Sequence, residues 1–328
     1  MPLHRRHALA ALTLASLAPA LRAQPRLRVV GVYSVPVAQP WVGRIDAALK
    51  VAAARGDIDY TVVDSVADAD CERRLRELAQ QGFKLIVGES FGVEAAARKV
   101  AREFPTTIFL MASSWGPQAP NYNVFDNHIQ EASYLSGMVA AGVSTRARIG
   151  LVGGMPTPEV SRLMNAFIAG ARDINPRCGF AASFIDSWFD PPKALAAANA
   201  MIDQGVDVLY AERAGVNEAA RDRKVLTIGN VVNEQAQFPD TQVTSALWHM
   251  QPAIDEAIKI TVAGTLFARN YARFMSLRLK GCELAPLGTF EGKVPAAVMD
   301  RVRARSEAMV AGSFVVPLNP VPPKGTLK

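Results

Sequence analysis

A chain of 328 residues, half of them hydrophobic, is long enough for about two domains, each with a packed core. Its formal charge of +6 is spread along the chain, without the concentrated basic face of a nucleic-acid binder. No interior apolar run reaches the roughly 18 residues that span a bilayer, and no low-complexity tract or short repeat occurs.

In chain order, Arg5 and Arg6 precede a short apolar stretch, Ala8–Ala20, with small residues at Ala18, Ala20 and Ala23. This is the layout of a cleaved secretory signal over residues 1–23, and it predicts a periplasmic protein. Pro19 argues against a long anchoring helix. The paired arginines leave twin-arginine export open beside the general route. No cysteine follows the apolar run, so no lipid anchor is expected. Without Arg5, Arg6 and Arg22 the balance falls to 33 basic against 30 acidic side chains.

The remainder alternates short apolar runs with helical stretches. Leu27–Tyr33 reads as a strand, Trp41–Ala54 as a helix and Asp59–Asp64 as a strand. Asp68–Gln81 is a helix, Leu85–Gly88 a strand, Val93–Glu103 a helix and Thr107–Ala112 a strand, with a short one at Asn123–Phe125. The pattern then restarts with a helix at Glu131–Ala141, a strand at Ile149–Gly153, a helix at Pro158–Asn175 and a strand at Ala181–Ile185. Pro191–Gln204 is helical, Val206–Tyr210 a strand, Asn217–Arg223 a helix, and Val225–Gly229 and Gln242–Leu247 strands, before a helix at Ala253–Ala263. Strands alternating with helices predict parallel sheets with right-handed crossovers. Two such runs predict an α/β chain of two doubly wound lobes. The first holds residues 24–128 with about 250–265 and the second 129–249; residues 266–328 are assigned to neither.

Ligands of such sheets bind beyond the carboxyl ends of the strands. With two lobes facing each other, the site falls in the cleft between them. The loops that matter are then Ser34–Pro40, Glu89–Gly92, Ser113–Gly116, Gly153–Pro156, Asp186–Asp190, Ala211–Gly215 and Asn230–Asn233.

Gly88-Glu89-Ser90-Phe91-Gly92 fits the G-x-S-x-G nucleophile elbow, and Asp190 and His249 would complete a serine-hydrolase order. No HGGG-type oxyanion segment accompanies it, and glycines at such a turn also let backbone approach a ligand. Phosphate-binding glycine motifs are missing. Cys71, Cys178 and Cys282 are too widely spaced for a disulfide framework or a zinc site and read as buried thiols. No cofactor or metal is expected.

Aromatics cluster in the cleft loops: Tyr33, Trp41, Phe91, Trp115, Trp188, Phe189 and, near an expected crossing, Trp248. Together they suggest a planar ligand held by stacking. Gln39, Glu89, Ser113, Glu212 and Asn230 are placed to read a heterocycle's edge. Asp190 and Pro191 read as the cap and first turn of a helix.

The chain resembles the basic membrane protein family of ABC-transporter substrate-binding proteins, itself similar to the purine-nucleoside receptor lipoproteins of spirochaetes. The resemblance covers roughly residues 28–318. It rests on Glu131–Gly137, Pro158–Val160 through Asn165–Phe167 with Gly170 and Ala171, Trp188–Pro191 with Lys193, Asp203–Val208, and Thr244-Ser245. It implies a type I periplasmic-binding fold whose lobes are joined by three crossings, and no catalysis. It also implies delivery of purine nucleosides or nucleobases to an ABC permease in the inner membrane, by a monomer. By motif position Trp41 matches the base-stacking aromatic, Tyr210–Arg213 the opposite wall, Ser113 an edge reader and Asn230 a ribose or edge contact. Trp248 stands where nucleoside binders carry lysine. Those binders hold the ribose with acidic residues in the first loop, where this chain has Ser34–Pro40. The expected ligand is therefore a purine base or related planar heterocycle. A sensing module feeding a membrane receptor is the second reading, and a hydrolase using Ser90 the third.

Overall fold

The computed structural model describes residues 26–327; the expected signal over 1–23 lies outside the described residues. The first sheet holds β1 (Leu27–Val32), β2 (Ile58–Val63), β3 (Leu85–Glu89), β4 (Ile108–Ala112) and β5 (Tyr122–Phe125). All its pairings are parallel, in the order β2-β1-β3-β4-β5. Its connecting helices are α1 (Pro40–Ala54), α2 (Asp68–Gln80) and α3 (Glu94–Glu103). The strands read as continuous apolar runs because both faces are covered. Val29, Leu85 and Leu110 point to one core with Ile45 and Leu49 of α1. Their neighbours Val30, Ile86 and Phe109 point to another with Leu75 and Val100 of α2 and α3.

The chain then passes through α4 (Gln130–Val143) into a second sheet of β6 (Arg148–Gly153), β7 (Gly179–Phe184), β8 (Val208–Ala211), β9 (Leu226–Val231) and β10 (Gln242–Trp248). Helices α5 (Pro158–Ile174), α6 (Pro191–Asp203) and α7 (Val216–Arg223) connect them. The strand order β7-β6-β8-β9-β10 repeats that of the first sheet. The expected architecture of two doubly wound α/β lobes is present.

Helix α8 (Gln251–Val262) returns to pack on α1. Residues 266–328 divide between the two sheets. Arg269 and Tyr271 bond the backbone of Val124 beside β5. Then β11 (Cys282–Leu284) adds an antiparallel edge to β10, and α9 (Ala296–Ala311) packs on α4. The sequence reading contained neither β11 nor α9. Chain therefore passes between the sheets three times: after β5, after β10, and between Tyr271 and β11. The first passage is tied by a buried ion pair, with Arg162 of α5 donating to Asp126 at 2.8 Å. All three cysteines are buried and free.

Candidate functional site

Each sheet has its topological switch point between its first and third strands, where successive crossovers leave for opposite faces. In the first sheet Glu89, ending β3, accepts hydrogen bonds from the Ser34 backbone N–H (2.8 Å) and hydroxyl (2.5 Å) just beyond β1. In the second, Glu212 follows β8 and accepts from the Gly154 N–H (2.9 Å) just beyond β6. The two lobes thus use the same device: a glutamate after the third strand pins the loop after the first.

These switch points border a cavity of about 620 Å³. The first lobe lines it with Ser34, Gln39, Trp41, Glu89 and Phe91, and the second with Thr157, Glu159, Trp188 and Arg213. An adjoining recess of about 50 Å³ shares Gln39, Trp41, Trp188 and Arg213 and adds Glu212 and Asn230. The volume lies within the roughly 300–1,000 Å³ range of small-molecule sites.

Trp41 sits one residue inside α1. Gln39 caps that helix, its side-chain oxygen accepting from the N–H groups of Trp41 (2.8 Å) and Val42 (3.1 Å). The indole leans on Phe125 (centroids 6.1 Å apart, planes 14° apart) and Trp248 (4.9 Å), with Phe91 edge-on at 6.1 Å. Across the cavity Trp188 comes within 6.4 Å of Phe91. Arg213 holds Trp188 by donating to its carbonyl (2.9 Å) and placing its guanidinium 5.7 Å from the ring centroid. Arg213 is itself anchored on Glu212, which accepts from its Nε at 2.7 Å.

Of the ten expected contact residues, Gln39, Trp41, Glu89, Phe91 and Trp188 meet in the cavity, and Glu212 and Asn230 line the recess. Asn230 accepts from the Tyr210 hydroxyl (3.0 Å), while its buried Nδ2 has no partner among the described residues. Three others stand elsewhere. Tyr33 is fully buried in the first core. Trp248 is also fully buried and donates its indole N–H to the Met275 sulfur; it backs Trp41 and does not reach the cavity. The Ser113 hydroxyl is spent on the Trp115 backbone and on Arg98, and Ser114 and Trp115 line the cavity in its place. Reasoning from sequence missed Asp68, Glu94, Thr157 and Glu159, and named Arg213 only as part of the expected opposite wall. Asp68 opens the helix after β2, so the strand-end rule reaches it. Glu159 falls inside the Pro158–Val160 block.

Ser90 is fully buried. Its hydroxyl donates to the Ala112 carbonyl (2.8 Å) and accepts from the Tyr122 hydroxyl (2.9 Å). His249 bonds Arg44 and Glu283, and Asp190 caps α6 by accepting from the Lys193 N–H (3.0 Å). The three residues of the hydrolase reading are thus engaged elsewhere. Ser90→Ala should leave ligand affinity within about twofold by calorimetry and lower stability by about 1 kcal/mol, the worth of a typical hydrogen bond. An esterase activity that this change removed would reinstate the hydrolase reading.

The Bmp family model, described as an ABC transporter substrate-binding protein that is PnrA-like, matches residues 39–306. The chain belongs to this family. A purine-binding protein of Brucella abortus is 33% identical over 257 residues, covering 76% of this chain and 73% of that one. A Haloferax volcanii protein, provisionally named as an ABC-transporter glucose-binding protein, is 37% identical over 175 residues, 53% of this chain and 44% of its own. Among solved structures, a solute-binding protein of an ABC transporter system from Conexibacter woesei superposes with a TM-score of 0.71 at 24% identity, covering 89% of this chain and 99% of that one. That likeness speaks to the fold. The chain is an ABC transporter substrate-binding protein, of a family that works in the periplasm or outside the cell, binds small molecules and pairs with membrane permeases. Among the described residues no helix is long and apolar enough to cross a membrane.

Proposed function

We propose that this protein captures a purine base or a related planar heterocycle in the periplasm and delivers it, chemically unchanged, to an ABC permease. The observation that carries this reading is the aromatic character of the cavity from both sides. Trp41 and Phe91 of the first lobe and Trp188 of the second line the same cavity of about 620 Å³. A flat guest between such walls gains about 0.5–1.5 kcal/mol per offset-stacked pair beyond the area it buries. The unpartnered Asn230 amide N–H supplies an edge contact. Because the walls belong to different lobes, the guest is fully held only when they close, and ligand shifts the population toward that state. A monomer suffices for this cycle.

The test is thermal unfolding of the purified protein against purine bases, nucleosides, amides and sugars. A ligand at 100 times its Kd stabilises the native state by about 2.7 kcal/mol, raising Tm by about 4 °C. A base should give that shift. A shift with a sugar alone would replace the heterocycle with a saccharide.

A further inference from the structure

One buried acid in the cavity has nothing to hold it. Glu159 stands in the first turn of α5, is 5% exposed and lines the cavity. Among the described residues no hydrogen bond or ion pair reaches its carboxyl. Its acidic neighbours are all engaged: Asp126 by Arg162, Glu212 by Gly154 and Arg213, Glu89 by Ser34, and Glu94 by Arg98. Its oxygens open onto the cavity, where a ligand can supply the partner that the protein does not.

We propose that Glu159 is the residue by which this cavity selects its ligand, pairing with a ring edge that presents one hydrogen-bond donor beside one acceptor. The inference rests on the heterocycle reading of the cavity. The charged groups facing Glu159 are Asp126 from the passage after β5, Glu212 and Arg213 from beyond β8, and Arg162 from its own helix. Burial, then Asp126 and Glu212, push the Glu159 carboxyl up to about 8; Arg162 and Arg213 pull the other way and are outweighed. His128, beside Asp126 and Arg162, is driven down to about 4, chiefly by burial, and is neutral when Glu159 titrates. At neutral pH Glu159 therefore keeps its proton and offers O–H and C=O side by side. The amidine edge of adenine (N1 with the 6-amino group) complements that pair, as does the lactam edge of hypoxanthine (N1–H with O6). Guanine carries that same lactam edge and, at N1–H with the 2-amino group, a second edge of two donors that would match an ionised carboxylate.

The sign of the pH dependence follows. The free group loses its proton above about pH 8, while the complex must retain it, so affinity is flat below that point. It then falls by up to about tenfold per pH unit. Glu159→Gln keeps one donor and one acceptor and cannot titrate.

The experiment is calorimetry of adenine binding to the native protein, Glu159→Gln and Glu159→Leu between about pH 6 and 9. The native protein should lose up to about tenfold between pH 8 and 9. The glutamine variant should match native affinity at pH 7 within about threefold and show no such fall, and the leucine variant should lose at least about tenfold. Melting of the ligand-free proteins reports folding independently. The native fold holds an extra proton between the unfolded carboxyl's range and about pH 8, so its stability falls as pH rises through that window. Glu159→Gln should therefore melt higher than native at pH 8 and not at pH 4. A glutamine variant as weak as the leucine one, or a native affinity flat to pH 9, would overturn the proposal while leaving the heterocycle reading in place. Failure of every base and nucleoside to bind the native protein would overturn both.

Discussion

Trp41→Ala should weaken binding of the cognate heterocycle by at least about tenfold, or ~1.4 kcal/mol, by calorimetry. Trp41 is the first lobe's aromatic face in both the cavity and its recess. Removing it deletes one stacking partner and the apolar area beneath the guest, and no neighbour can take its place. Phe125 and Trp248 lie behind the indole and are locked in the core, while Phe91 approaches edge-on. The variant also loses those core contacts, and full truncation of a buried aromatic costs about 3–5 kcal/mol; a half-buried indole should cost less. Circular dichroism melting must accompany the titration so that a folding defect is not mistaken for a binding one. Trp41→Phe separates the two effects, because a smaller ring still stacks and should retain affinity within about fivefold. Unchanged affinity in Trp41→Ala, with the fold intact, would remove stacking from the account of this site.

The strand-end rule located most of the cavity from sequence, because doubly wound sheets put their loops on one edge whatever the side chains are. It could not say which side of a loop faces the guest. Trp41 and Trp248 carry the same indole and stand 4.9 Å apart, yet only Trp41 reaches the cavity. The difference is set by Met275, which accepts the Trp248 N–H from a segment the sequence left without a lobe. Ser113 stands off the cavity lining for a related reason: a serine after a strand bonds its own turn as readily as a ligand. Glu159 escaped notice because an acid in the first turn of a helix is ordinary on the surface. Only tertiary packing reveals that this one is buried. Strand β11 spans three residues, too few for an alternation to register, and half-exposed α9 shows no sustained apolar stripe.

Gly170→Ala should destabilise the second lobe by more than about 3 kcal/mol in urea unfolding, against the usual trend that alanine stabilises a helix by up to about 1 kcal/mol over glycine. Helices α4 and α5 cross backbone to backbone. A Cβ on Gly170 would collide with the carbonyl oxygen of Tyr134, and one on Gly137 with that of Phe167. Neither carbonyl can move without breaking its helix, so the two helices must separate. Gly142, also on α4, provides the control. Its added Cβ would meet the Val298 side chain of α9 at 2.7 Å and no backbone, so Gly142→Ala should cost less than Gly170→Ala. The consequence reaches the cavity, because the first turn of α5 carries Thr157 and Glu159 to its wall, and Arg162 on the same helix grips Asp126 at the first passage between lobes. Displacing α5 should therefore lower ligand affinity even where the variant remains folded. A Gly170→Ala protein as stable as native, binding as tightly, would mean that this helix crossing is not what places the second wall of the site.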